Sequence, residues 1–384
     1  MPMIRKITTS HPIITVDNRD QLQQLLRDGT LQLADAPWLS SQPSAPDTSQ
    51  DRVEGMLLGV AIGDALGRPS EGMIPARRQR THGQIRSYHR HHRAKHHSGA
   101  VWGEPSDDTQ LTFWALDQLI EDSGLDPERL SNRFAREGGK LIGIGGTVRE
   151  FRVRAARGLP WTERGVDSAG NGALMRAAPM LMPHLHTPTP ALWADAALGA
   201  FLTHNDSAST ASCLAFTDML WQLLSMSSPP PASWWVETFL DRATPLEVRD
   251  DYAPRSGEGS FTGTLCARIR EQLSGLADDP RETVDICDGL YSGAYMLETV
   301  PCVLTILSRH GHDPEEAIVR AVNDTKDNDT VAAIVGAAVG ALHGRAALPD
   351  RWLSGLSGRL SKRGRPGEVF EILDRACATF GPSK

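Results

Sequence analysis

Gly55-Met56-Leu57-Leu58-Gly59-Val60-Ala61-Ile62-Gly63-Asp64-Ala65-Leu66-Gly67 is the stretch that decides the fold. Its four glycines recur every fourth residue, which places them on one face of a helix. Glycine weakens a helix interior by about 1 kcal/mol relative to alanine, so four in register make sense where another backbone packs closely on that face. A second stripe, Gly336, Gly340 and Gly344, runs within and just past the apolar segment 331–342. Both segments are expected to be central helices. The stripes alone do not say whether the two touch.

Outward from these helices the pattern stays helical. Apolar periodicity predicts helices over 109–121, 191–202, 207–224, 297–309, 314–323 and 366–379, while strand-like alternation is scarce. The expected fold class is therefore all-α, a compact multi-helix domain over residues 51–384 without a repeating unit. Residues 1–50 differ in character. They carry a short apolar stretch at 12–16, a helix candidate at 20–26 and a linker rich in Ala, Pro, Ser and Asp over 35–52. They read as an N-terminal arm. The runs 227–231 and 254–263 read as loops.

Composition excludes several classes. Lys and Arg number 40 against 47 Asp and Glu, for a net charge of −7, which argues against a general nucleic-acid binder because phosphate contacts need a basic surface. No segment approaches the ~18 uninterrupted apolar residues that a membrane span needs. Residues 1–16 lack an apolar core followed by a cleavage site. The five cysteines have no metal-ligand spacing and are expected to be free buried thiols. These features predict a cytoplasmic protein with no nucleic-acid or membrane partner.

The chemistry lies in two acidic clusters. Ser106-Asp107-Asp108-Thr109 immediately precedes an apolar helical pattern, so its carboxylates sit at a helix N-terminus. Alone, such a cluster reads equally well as a cap. Asp327-Asn328-Asp329-Thr330 has similar composition and opens another, very apolar helix. Four carboxylates on two buried helices need a counter-charge, since unpaired buried charge is too costly. All-oxygen donors suit Mg²⁺, Mn²⁺ or Ca²⁺ rather than zinc or copper, and a pair of such ions would orient a water and polarise a leaving oxygen.

The ordered motifs 59–67 with Glu71, 103–109, 143–147, 170–179, Thr203-His204 and 327–330 resemble the ADP-ribosylglycohydrolase family across most of residues 53–345. Each piece is weak, and their joint order is specific. The resemblance implies an all-helical fold with two divalent cations, Mg²⁺ first and Mn²⁺ second. It implies removal of ADP-ribose from modified protein side chains, with arginine as the first guess at the linkage. It implies Ser106, Asp107, Asp108, Asp327, Asp329 and Thr330 as metal ligands, and Glu71 as a catalytic acidic residue on a loop beside the metals. Gly143, Gly145 and Gly146 are implied as a loop against the diphosphate, and Asn171, Gly172 and His204 as substrate-pocket residues. Tyr295 is expected to stack on adenine, and Asp64 to hold a helix end by hydrogen bonds.

The mechanism expected from the resemblance is hydrolysis of the ribose glycosidic bond, with Asp107 or Asp108 taking the proton of the attacking water. Two departures stand out. Ser106 replaces a commoner threonine with the same ligating hydroxyl, and Lys326 sits beside the second cluster, where an inward ammonium would weaken metal binding. The tract 89–97, rich in His, Arg and Lys, reads as a solvated loop. The arm resembles that of immunity proteins paired with ADP-ribosyltransferase toxins, so residues 1–45 are expected either to dock on the domain or to bind such a toxin. A non-catalytic toxin-binding protein and a dinuclear hydrolase of phosphoesters or free ADP-ribose derivatives stay open as alternatives.

Overall fold

In the computed structural model, which describes residues 17–89, 102–255 and 261–382, the two glycine stripes meet. The helices are α1 (Asn18–Arg27), α2 (Gln50–Gly67), α3 (Pro75–His82), α4 (Asp107–Asp122), α5 (Pro127–Glu137), α6 (Gly146–Ala156), α7 (Ala191–Phe201) and α8 (Ser207–Leu223). They continue with α9 (Ala232–Ala243), α10 (Leu265–Leu273), α11 (Thr283–Gly289), α12 (Met296–His310), α13 (Pro314–Asp324), α14 (Asn328–His343), α15 (Asp350–Gly355) and α16 (Glu368–Phe380). Among the described residues there are only isolated bridges, Val166–His204, Gly170–Tyr295 and Tyr252–Gly263, and no sheet. The fold is all-α.

Helices α2 and α14 run antiparallel through the centre, and nearly every residue of both is buried. A Cβ added to Gly59 would collide with the Gly336 carbonyl, one on Gly63 with that of Ala332, and one on Gly340 with that of Gly55. The glycines are therefore required by backbone-to-backbone contact, which offsets their low helix propensity. The register brings the C-terminus of α2 against the N-terminus of α14: the Asn328 side chain donates to the Gly67 carbonyl at 3.0 Å.

Side chains that satisfy orphan N–H groups start several of the other helices: Asp126 for α5, Asp206 for α8, Thr264 for α10 and Asp313 for α13. Helices α3, α5, α6, α9, α10, α11 and α15 lie outside the helices expected from periodicity. They have six to twelve residues each, and the three shortest, α3, α11 and α15, have too few turns for an apolar stripe to stand out from their loops.

From Asn18 onward the arm lies on the helical body. Leu22 and Leu25 of α1 are buried, the Trp38 ring meets Trp193 edge-on at 5.2 Å, and the indoles of Trp193 and Trp221 donate to the Ser41 and Ser44 carbonyls. The apolar stretch 12–16 lies outside the described residues, as does the 89–97 tract apart from His89. All five cysteines are free; four are buried and Cys377 is partly so. No helix of the described residues is long and apolar enough to cross a membrane.

The glycine contact makes a signed prediction. Gly59→Ala should destabilise the fold by about 1–3 kcal/mol through overpacking. Gly289→Ala, at an exposed glycine of α11 with nothing within 4 Å of an added Cβ, should be neutral or stabilising. Chemical denaturation of both variants checks this; equal stability would contradict the close contact.

Candidate metal centre and substrate pocket

The N-termini of α4 and α14 face each other across the C-terminal end of α2. Asp64, near the end of α2, is wholly buried and takes four hydrogen bonds: from Ser106 N at 2.8 Å, Ser106 Oγ at 2.7 Å, Thr109 N at 3.1 Å and Thr109 Oγ1. One helix thus caps another, and α4 is held with its first carboxylates turned toward α14. Asp108 and Asp329 bring carboxylate oxygens within 4.8 Å of each other, and Asn171 Nδ2 donates to Asp327 Oδ2 at 2.6 Å. The two clusters, 221 positions apart in sequence, form one site.

Two acidic triads satisfy the geometry for holding a cation: Asp64, Asp108 and Asp329, and Glu71, Asp327 and Asp329, each with one oxygen per residue within 4.8 Å of the others. Asp329 belongs to both. The Asp64 oxygens are already saturated by four donors, so Asp64 supports the first triad from behind. Asp108 Oδ1 is buried without any hydrogen-bond partner, as expected of an atom whose partner is a cation. The donor set is all oxygen, which fits hard divalent cations.

Burial pushes the carboxyls of Asp107, Asp108 and Asp329 well above the ordinary carboxylate range, and neighbouring carboxylates add to the effect. Burial also raises Asp327, against the opposing pull of the Asn171 hydrogen bond. The N-terminal ends of α4 and α14 favour negative charge, but this does not offset the burial. Lys326 does not enter the cluster: its ammonium lies 3.7 Å from the centre of the Tyr291 ring.

The approach to α14 is held from two sides. Tyr291 and Ser292 both adopt positive φ, 67° and 45°, a costly conformation for side-chain-bearing residues. It lets the Ser292 carbonyl accept from Asp327 N at 2.9 Å and the Ser292 hydroxyl from Lys326 N at 3.0 Å. On the other side, buried Arg78 donates to the carbonyls of Met73, Asn323 and Thr325 and to Ser70 Oγ. It ties the turn carrying Glu71 to the segment before Asp327.

An open cavity of about 140 Å³ lies over the clusters. Glu71, Asp107, Asp108, Gly143, Gly145, Gly146, Asn171, Gly172, His204, Asp327, Asp329 and Thr330 all line it. Ser106 and Tyr295 do not. The Ser106 hydroxyl is engaged by Asp64 and Asp108 below the floor. Tyr295 pairs through its backbone with Gly170, and its ring lies 5.4 Å from the Arg255 guanidinium. Thr147, Gly170 and Met175 also line the cavity and fall inside the sequence motifs; Val148 and Ala294 line it too, and nothing in their sequence context singles them out. Gly143 has φ 82°, and a Cβ there would sit 3.1 Å from Asp107 Oδ1, so glycine serves both the turn and the carboxylate. The glycine run leads into α6, whose first turn has no capping side chain, leaving N–H groups suited to an anion.

His204 is wholly buried, and burial lowers its pKa to about 3, so its ring is neutral. Arg176 donates to Thr203 Oγ1, which leaves the Thr203 proton for His204 Nδ1 at 2.8 Å. That pairing puts the ring's own proton on Nε2, which lies beside Gly170 and Gly172 on the cavity wall.

Comparison with known proteins agrees with this geometry. Residues 45–380 match the family model described as ADP-ribosylglycohydrolase. The chain is 26% identical to the ADP-ribosylarginine hydrolase Tri1 of Pseudomonas putida, over 87% of this chain and 84% of that one. It is 26% identical to the ADP-ribosyl-[dinitrogen reductase] glycohydrolase of Rhodospirillum rubrum, over 86% and 97%. A solved structure of an ADP-ribosylglycohydrolase-related protein complex superposes with a TM-score of 0.63 at 26% identity, covering 86% of this chain and 97% of that one.

The raised carboxyls carry a pH prediction. A raised carboxyl holds protons in the folded chain that the unfolded chain has shed, so the cation-free fold is favoured below the ordinary carboxylate pKa and loses that stability as pH rises through the raised values. A cation replacing those protons should therefore raise the melting temperature more at roughly pH 8 than at roughly pH 6. Thermal melts with chelator and with Mg²⁺ measure this; an equal rise at both pH values would contradict it.

Proposed function

Because the chain belongs to the ADP-ribosylglycohydrolase family, we propose that it hydrolyses the glycosidic bond between ADP-ribose and a modified protein side chain, with arginine as the favoured linkage. The observation that carries the reading is the convergence of two acidic helix N-termini, one with an orphaned buried carboxylate oxygen, under a cavity walled by glycines. The arginine linkage draws support from the similarity to the Pseudomonas putida ADP-ribosylarginine hydrolase.

Two divalent cations, Mg²⁺ first and Mn²⁺ second, fit the donors. Asp107, Asp108, Asp329 and Thr330 would hold one, and Glu71, Asp327 and Asp329 the other, while Ser106, expected as a ligand, spends its hydroxyl on Asp64 and Asp108 below them. When bound, the ions would supply the positive charge that orients ribose hydroxyls and water. The remaining work belongs to the chain. Asp107 or Asp108 takes the proton of the attacking water. Asn171 holds Asp327 in place, and His204 presents an Nε2–H donor to a sugar or phosphate oxygen. The glycine loop and the open first turn of α6 admit the diphosphate against backbone N–H groups. A cavity of about 140 Å³ takes the ribose end, so the adenine end lies outside it; Tyr295, whose backbone pairs with the lining residue Gly170, is the nearest candidate from the sequence to stack on it.

Protein partners follow from this reading as ADP-ribosylated substrates. A toxin contact through the arm is a separate matter. Residues from Asn18 onward lie on the body through Leu22 and Leu25 and leave Arg19, Asp20, Gln24 and Arg27 exposed for such a contact.

The test is release of ADP-ribose from proteins modified at arginine, at serine and at other side chains, with and without Mg²⁺. Mg²⁺-dependent release from the arginine-linked protein is expected. Asp108→Ala should lower its rate at least about 10²-fold. Release from another linkage alone would overturn the linkage assignment, and no release from any linkage with cations bound would overturn the hydrolase.

A further inference from the structure

The arm and the pocket meet at one residue. Asn205 directly follows His204, and its side-chain amide is used in both directions by the arm backbone. Nδ2 donates to the Thr30 carbonyl at 2.8 Å, and Oδ1 accepts from Gln32 N at 3.2 Å. The two bonds bracket Leu31, which is buried in the core. The arm is anchored beyond the clamp on both sides, by α1 against α7 and by Ala34 N donating to the Leu246 carbonyl at 2.9 Å.

The body holds the rest of this loop. Val166 N donates to the Thr203 carbonyl at 3.0 Å, and Asn205 N to the Val166 carbonyl at 2.8 Å. Asp206 caps α8 through Ser209 N and accepts from the Tyr252 hydroxyl at 2.8 Å. The Asn205 side chain is thus the element of the loop whose partners both come from the arm. His204 has little room to shift: a Cβ on Gly172 would already sit 3.1 Å from its ring, and one on Gly170 would sit 3.4 Å away. A close-packed interior transmits strain, so a change at the Asn205 side chain is passed to the adjoining ring.

We propose that Asn205, through its paired hydrogen bonds to the arm backbone at Thr30 and Gln32, is a positioning residue for His204, which makes the arm a working part of the ligand pocket. A structural brace and a substrate-pocket donor are joined in one loop. Only the ligand half of the test rests on the reading of the cavity as an ADP-ribose site.

The experiment uses the full chain labelled with ¹⁵N-histidine, the His204 resonance being assigned by its loss in His204→Ala. Asn205→Ala and, independently, Gln32→Pro, which removes the arm's N–H donor, should each shift or broaden the His204 ring signal. The signal of His310, bonded to Thr283, should stay in place. Calorimetry with ADP-ribose should show affinity weakened about five- to tenfold in Asn205→Ala, and this loss should vanish in a His204→Ala background. An unchanged His204 signal in both folded variants, or an affinity loss that persists without His204, overturns the proposal. A parent chain that binds no ADP-ribose would count against the proposed function, and the His204 signal would still decide the clamp.

Discussion

Two helices can touch backbone to backbone only where neither carries side chains at the contact, and the rest of this structure depends on that constraint. The glycines of α2 and α14 interleave so that a Cβ on most of them would strike a carbonyl of the partner. This costs helix propensity on both sides. In return it fixes the register of two long buried helices, and the register sets which ends meet. The end of α2 that carries Asp64 lies against the start of α14 that carries Asp327 and Asp329. Asp64 in turn receives the start of α4. Three chain segments are brought together by one contact.

The site built there is under electrostatic stress. Asp107, Asp108 and Asp329 are buried near one another, and burial opposes their ionisation. The Asn171 amide relieves the neighbouring Asp327, and Arg78 braces the backbone around the site. Positive φ at two consecutive non-glycine residues, Tyr291 and Ser292, indicates that the surroundings hold the segment before Asp327 in place against local preference. Strain and charge are concentrated where divalent cations would be bound, as is usual at functional sites.

Much of this was legible in the sequence, for identifiable reasons. The four-residue glycine period identified both central helices, because that period has no other ready use in a helix. Their mutual contact was not legible, since a stripe does not name its partner. The acidic clusters were recognisable from composition and position, and the cavity walls from ordered glycine motifs. Asp64 was expected to hold a helix end, and it does so in trans on α4. Ala294 and Val148 gave no signal, because a small or apolar wall residue looks like any core residue. Helices α3, α11 and α15 escaped because six to eight residues hold too few apolar positions. Lys326, expected as a threat to the metals if turned inward, is drawn onto the Tyr291 ring, a cation–π contact that only the folded chain reveals.

The central claim is that the two clusters form one site for two divalent cations that share Asp329. The most direct measurement is Mn²⁺ binding by the full chain, followed by electron paramagnetic resonance. Two bound ions per chain with the spectral signature of magnetic coupling are predicted, together with loss of that coupling in Asp329→Asn. Two uncoupled ions, or no saturable binding, would contradict the account.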